Sequence, residues 1–307
     1  KQTELQFKLN MSALKSEYLK SLKTPLRYPG GKSRALKSLF NNFFPDLSTY
    51  KSFREPFLGG GSVSLRVTKL FPHLKIWVND LYKPLFIFWT QLQENGIELC
   101  DHLTDLKNQY PKPESARILF EESKEFLAAD HSDNEQFEIA ARFYVVNKCG
   151  FSGLGESSSF SKSASESNFS LLGISKLKDY QQIIKYWKIT NLPYQRLLKN
   201  SPSAFIYSDP PYDIKDNLYG RKGSMHKLFD HDQFAERCNK SKCHHLISYN
   251  NSNSIKQRFS KWNAAEFAHT YTMRSSGSYS ADQSKRMELV LFNYKLIKNI
   301  QLFEDFS

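Results

Sequence analysis

The 307 residues are 40% hydrophobic and 14% aromatic, enough to bury one large core or two smaller ones, which excludes a disordered chain. No apolar run approaches the ~18–20 residues of a membrane span, and the lysine-rich start lacks the apolar core of a signal peptide, so neither a membrane span nor secretion is expected. The net charge of +12 is uneven: residues 1–40 carry nine Lys/Arg against two Asp/Glu, and residues 94–138 hold twelve acids against four bases, a polarity suited to a polyanion bound on one side.

In chain order, residues 1–24 are polar, with an amphipathic stretch around "SALKSEYLKSL" and no motif. "TPLRYPGGKSRALKSLFNNFF" is a Pro/Gly turn opening a helix at Lys32 or Ser33, with Leu36, Leu39, Phe40 and Phe43 at helical spacing. "KSFREPFLGGGSVSLRVTKLF" gives strand, glycine turn and helix. "LKIWVNDLYKPLFIFWTQLQ" gives an alternating strand ending near Asp80, then a helix. Residues 114–149 are mostly helical, and 150–170, with nine serines, form a loop. "DYQQIIKYWKITNL" begins helical; "AFIYS", "HHLISYN" and "MELVLFNY" are strands. This alternation, interrupted by helices, predicts a doubly wound α/β domain carrying a mostly helical insertion.

The turns carry the chemistry. Gly59, Gly60 and Gly61 follow a strand and open a helix, where the backbone can approach a ligand closely. Asp80 lies at the end of the next strand, where an acid can accept from two ribose hydroxyls; together the two elements imply a nucleoside-containing cofactor. "FIYSDPPY" stops a strand on two prolines, presenting Asp209 and Tyr212 at the carboxyl end of a sheet strand, where α/β folds bind ligands. Cys100, Cys149, Cys238 and Cys243 fit free thiols in a reducing compartment. Cys238, Cys243, His244 and His245 have no second ligand pair of matching spacing, so no metal is expected.

"PLRYPGGK", "EPFLGGGS", "VND" and "SDPPY", in that order, resemble the Dam-like (D12 class) DNA adenine-N6 methyltransferases over roughly residues 24–295. The resemblance implies a Rossmann-like methyltransferase sheet formed by 1–83 and 173–307, with a helical DNA-recognition insertion over 84–172. It implies S-adenosylmethionine as cofactor, duplex DNA as partner, base flipping, and the cytoplasm of a bacterial or phage-infected cell as location. Tyr28, Lys32, Phe57, Gly59, Asp80 and Asp209 would line the cofactor site, with Lys32 near the cofactor's carboxylate. In "FYVVNKCGFSGLGE", Asn147, Lys148, Phe151, Ser152 and Gly153 would meet DNA, joined near the end by Arg274. The family commonly has Asn at Ser152 and Arg at Glu156. A glutamate cannot donate to a guanine edge as arginine does, so recognition of GATC is not carried over.

The residue chemistry agrees with the resemblance. An exocyclic adenine amine is a poor nucleophile until acceptors take both amino hydrogens and free its lone pair. The Asp209 carboxylate and the Pro210 carbonyl can be those acceptors, and Tyr212 can stack on a base that has left the duplex. Methylation of a cytosine amine or of RNA would need the same acceptors. A protein-glutamine methyltransferase characteristically has Asn at the position of Asp209.

Overall fold

The computed structural model describes residues 23–28, 30–151, 158–212, 229–269 and 286–296. Seven strands form one sheet: β1 (Ser52–Glu55), β2 (Lys75–Asn79), β3 (Lys188–Thr190), β4 (Ala204–Ser208), β5 (His244–Asn250), β6 (Asn263–His269) and β7 (Arg286–Phe292), in the order β3-β2-β1-β4-β5-β7-β6. β1 to β5 pair in parallel, and β7 runs antiparallel between β5 and β6. Sequence order reverses between β1 and β4, and their carboxyl ends form the crevice where such sheets bind ligands. This is the doubly wound, Rossmann-like sheet that the sequence led us to expect.

Helices α1 (Leu36–Asn42), α2 (Ser62–Leu70), α3 (Lys83–Glu94), α4 (Gly96–Gln109), α5 (Pro113–Ala128), α6 (Gln136–Cys149), α7 (Lys162–Ser167), α8 (Leu171–Ser175), α9 (Leu177–Ile184), α10 (His231–Lys240) and α11 (Asn253–Arg258) complete the described elements. Alternation along β4 sends Phe205 and Tyr207 into one apolar cluster and Ala204 and Ile206 into another, on the opposite face of the sheet. On the first face α1 lays Phe40 and Phe44 in a stacked pair, and Phe44 packs on Phe205 and Tyr207. Lys32 lies on a short 3-10 turn just before α1, so this packing carries its side chain to the end of β4. The opposite cluster gathers α10, α11 and the rings of Phe234, Tyr249 and Phe259.

α6 packs against both α3 and α5, and all three share the first apolar cluster with the sheet. α3 is also tied to the glycine turn, because Trp89 Nε1 donates to the Gly59 carbonyl at 3.1 Å. Two features depart from the sequence expectation. The serine-rich stretch 150–170, expected as a loop, contains α7, started by the Ser161 side chain accepting from the Ala164 amide. β3 and β6 were not anticipated: β3 is a three-residue edge strand, and β6 is rich in alanine. Among the described residues no helix is long and apolar enough to cross a membrane.

Candidate active site

The crevice is built from three strand ends and one turn. After β1, Gly59 and Gly61 adopt φ of +50° and +69°, the left-handed region that favours glycine. A Cβ at Gly59 would stand 2.8 Å from a Tyr28 ring carbon, and one at Gly60 would stand 3.0 Å from the Tyr28 Cβ. Tyr28 therefore lies directly on the glycine turn, and the Thr24 hydroxyl donates to the Gly60 carbonyl. "PLRYPGGK" and "GGG" are far apart in the chain and form one surface.

Asp80 supports this turn from below. Its Oδ2 accepts from the Gly59 amide at 2.9 Å and its Oδ1 from the Tyr82 amide at 3.0 Å. The neighbouring Asn79 side chain ties the Pro56 and Leu192 carbonyls and the Leu192 amide into the same corner. Burial pushes the Asp80 carboxyl up to about 6, against the backbone donors that pull it down. The Leu81 amide is a third backbone donor to this carboxyl, and about four lone-pair sites against three donors let the acid organise the loop and keep some acceptor capacity. Beside it Leu81 is 61% exposed, an apolar side chain at the mouth of the crevice. Phe57 is half-buried in a ring cluster with Tyr194, Phe229 and Phe234.

At the end of β4 four side chains converge. Lys32 Nζ is 2.8 Å from Asp209 Oδ2, donates to the Tyr212 hydroxyl at 2.8 Å, and donates to the Gly30 carbonyl at 2.9 Å. Its three donors are thereby committed. The Tyr212 hydroxyl passes the chain on, donating to Glu288 Oε1 at 2.9 Å. Glu288 Oε1 also faces Lys32 Nζ at 3.6 Å. The Tyr212 ring stacks on Tyr249, with centroids 6.2 Å apart. Lys32, expected near the cofactor's carboxylate, has its ammonium inside the Asp-Pro-Pro-Tyr turn.

The other carboxylate oxygen matters for chemistry. Asp209 Oδ1 is buried and has no hydrogen-bond partner among the described residues, although the side chain as a whole is 21% exposed. Burial pushes Asp209 up to about 6, with Lys32 pulling it down and Glu288 pushing it up. Lys32 itself is desolvated, but the Asp209 and Glu288 carboxylates outweigh that and hold it above its usual range. Glu55, at the end of β1, is raised to about 8 by burial, although it accepts from the Ser64 amide and hydroxyl. Pro210 is buried beside Asp209, which keeps its carbonyl on the same turn.

Glu288 did not stand out in the sequence. Because β7 is antiparallel, its first residues lie beside the last residue of β5, with Asn250 opposite Glu288, and the acid reaches the carboxyl edge of the parallel strands. The signal that could have revealed it is an acid opening the otherwise apolar run "ELVLF" of a central strand.

The expected DNA-facing residues divide. Asn147 is fully buried: its Oδ1 accepts from the Arg27 amide at 2.9 Å and its Nδ2 donates to the Arg27 carbonyl at 2.7 Å. The amide thereby clamps the "PLRY" segment to α6. Arg27 completes the clamp, donating to the carbonyls of Gly150 at 2.5 Å and Phe151 at 3.0 Å. Lys148 is partly buried and lowered to about 8 by desolvation and by Arg27. Phe151 is 55% exposed. Ser152, Gly153 and Arg274 lie outside the described residues.

The D12 class N6 adenine-specific DNA methyltransferase family matches residues 28–273. The chain belongs to this family. It is 22% identical to the Type II methyltransferase M.MjaIII of Methanocaldococcus jannaschii over 61% of this chain and 68% of that one. Identity is 22% to the Type II methyltransferase M.CviBI of Paramecium bursaria Chlorella virus NC1A, over 89% of this chain and all of the relative. It is 25% to the Type II methyltransferase M1.LlaDCHI of Lactococcus lactis subsp. cremoris, over 87% and 94% respectively. The protein is thus an adenine-specific DNA methyltransferase, related to the methylating enzymes of type II restriction–modification systems. DNA is its substrate class. Among the described residues no group of His, Cys, Asp and Glu is arranged to hold a metal ion.

Proposed function

We propose that this methyltransferase uses S-adenosylmethionine to methylate N6 of an adenine extruded from duplex DNA. The observation that carries the proposal is the Asp209 carboxylate: one oxygen is held by Lys32, and the other is buried without a partner beside Pro210. An orphaned buried acceptor is costly unless a ligand donor completes it, and an adenine amino group offers that donor.

The residues present fit the proposed cofactor. Tyr28, Gly59 and Gly60 make a flat approach surface, Asp80 keeps acceptor capacity for ribose hydroxyls, and Leu81 and Phe57 offer apolar contact for an adenine ring. Asp80, Asp209 and Glu55 are acids whose ionisation is disfavoured by burial, so a cation nearby lowers the cost of all three. When bound, S-adenosylmethionine supplies a methyl group on a cationic sulfur, which keeps the carbon–sulfur bonding pair as the methyl passes to nitrogen. Asp209 Oδ1 and the Pro210 carbonyl accept the two amino hydrogens, which turns the nitrogen lone pair out of conjugation with the ring. The methylated nitrogen then sheds one proton to Asp209 Oδ1, and from there to water. Lys32 keeps Oδ2 engaged throughout, so that Oδ1 is the oxygen presented.

We assign target recognition to the helical segment 84–172, with Lys148 and Phe151 at its described edge and Ser152, Gly153 and Arg274 as further contacts. Arg27 and Asn147 support this edge from beneath. Reach into the active site requires the adenine to leave the stack. Titrating duplex DNA carrying 2-aminopurine at the target position tests both points. Its fluorescence should rise on binding, and affinity should fall by orders of magnitude between about 50 and 200 mM salt as phosphate counterions are released. Constant fluorescence with a flat salt dependence would count against extrusion and against a phosphate-dominated interface.

A further inference from the structure

We propose that Glu288 is a positioning residue for methyl transfer: it anchors the Tyr212 hydroxyl and offsets the Lys32 ammonium, so the Asp209 turn keeps a net negative field where the amine reacts. The inference rests on the assignment of Asp209 as the amine acceptor.

The geometry carries it. Glu288 is 1% exposed on a central strand, where an acid is expensive unless it is paired. It is joined to the reaction centre at two points, accepting from Tyr212 at 2.9 Å and facing Lys32 at 3.6 Å. Lys32 alone would neutralise Asp209, leaving that pair with little field. With Glu288, two carboxylates share one ammonium. A sulfonium donor and a nitrogen gaining positive charge are both stabilised by that excess, which is fixed in place before reaction. The hydroxyl relay Lys32 to Tyr212 to Glu288 also sets the orientation of the Tyr212 ring against Tyr249. Core packing alone would favour an apolar side chain at this position, as at Leu289, Val290 and Leu291.

The charged and titratable groups around Asp209 are Lys32, Glu288, Tyr212, Tyr207 and Glu55. Of these, Glu288 raises the cost of the Asp209 anion and Lys32 lowers it, while Asp209 in turn raises Glu55. Glu288→Gln keeps the size and an acceptor for Tyr212 but removes the charge. Single-turnover methyl transfer to duplex DNA, measured from pH 5 to 9 at saturating S-adenosylmethionine, should show the acid limb moving down by about one pH unit. The plateau should fall about tenfold, the factor equivalent to one such unit. Glu288→Asp keeps the charge but shortens the reach to Tyr212; its limb should stay with the parent's while its plateau drops. A Gln variant with the parent's profile, or one that is slower with an unmoved limb, overturns the proposal, the second outcome marking Glu288 as merely structural. If the Gln variant does not fold, the Asp variant decides: a parental plateau overturns the proposal. If Asp209→Ala, measured alongside, transfers methyl groups at the parental rate, the assignment of Asp209 fails, separately from the role of Glu288.

Discussion

Asp209→Ala is expected to lower the single-turnover rate of methyl transfer by ~10²–10³-fold or more, with S-adenosylmethionine saturating. The variant loses a buried carboxylate oxygen that lacks a partner among the described residues, and losing one preorganised electrostatic partner typically costs that factor. Asp209→Asn should retain part of the rate, because its carbonyl still accepts a hydrogen bond. The same carboxylate sets a pH limb in the parent. Burial raises Asp209 to about 6, and the reactive form is the anion, so the rate should fall as pH drops through about 6. A variant lacking the carboxyl that still transfers methyl groups at the parental rate would reduce Asp-Pro-Pro-Tyr to a rigid turn.

Lys32→Met should be the most destabilising single change in the site. It leaves Asp209 and Glu288 facing each other with no cation between them, and breaking a buried ion pair in this way typically costs about 3–5 kcal/mol. The sign with pH follows from the titrations. Lys32 is held above its usual 10.5, so its contribution is fully present below that value and is lost only as pH rises through the higher folded value. In the variant, Asp209, already raised to about 6 by burial, costs least when protonated. The variant's deficit in urea unfolding should therefore be larger at pH 8 than at pH 5. A deficit below about 1 kcal/mol at both values, the size typical of an exposed pair, would show that the cluster is not desolvated as described. Tyr212→Phe, mild if only the ring mattered, should now be costly: its hydroxyl accepts from Lys32 and donates to Glu288.

The parts of the site legible in the sequence are those with local punctuation. The Gly-Gly-Gly turn requires positive φ at Gly59 and Gly61, and the prolines after Asp209 end β4, so both features mark strand ends in one dimension. The strands that carry them are short apolar runs bounded by turn residues, which is why β1, β2, β4, β5 and β7 were readable. What escaped depends on pairing across the sheet. Glu288 reaches the crevice because β7 runs backwards, and nothing near residue 288 announces that direction. Lys32 was legible only as a cofactor-site cation; its burial against Asp209 and Glu288 comes from the segment before α1 packing toward Phe205 and Tyr207. Asn147 looked like an exposed recognition residue, yet α6 is buried from Phe143 to Asn147 and its amide is consumed by Arg27. β3 is only three residues long and β6 contains no β-branched residue, so neither could be distinguished from loop.

The central claim is that Asp209 and Pro210 activate an adenine amine in duplex DNA. It is tested most directly by incubating the protein with methyl-labelled S-adenosylmethionine and duplex DNA, digesting the product to nucleosides and locating the label. The account predicts label in N6-methyladenine, absent with Asp209→Ala and not transferred to RNA. Label in N4-methylcytosine, or N6-methyladenine formed equally well by Asp209→Ala, would contradict it.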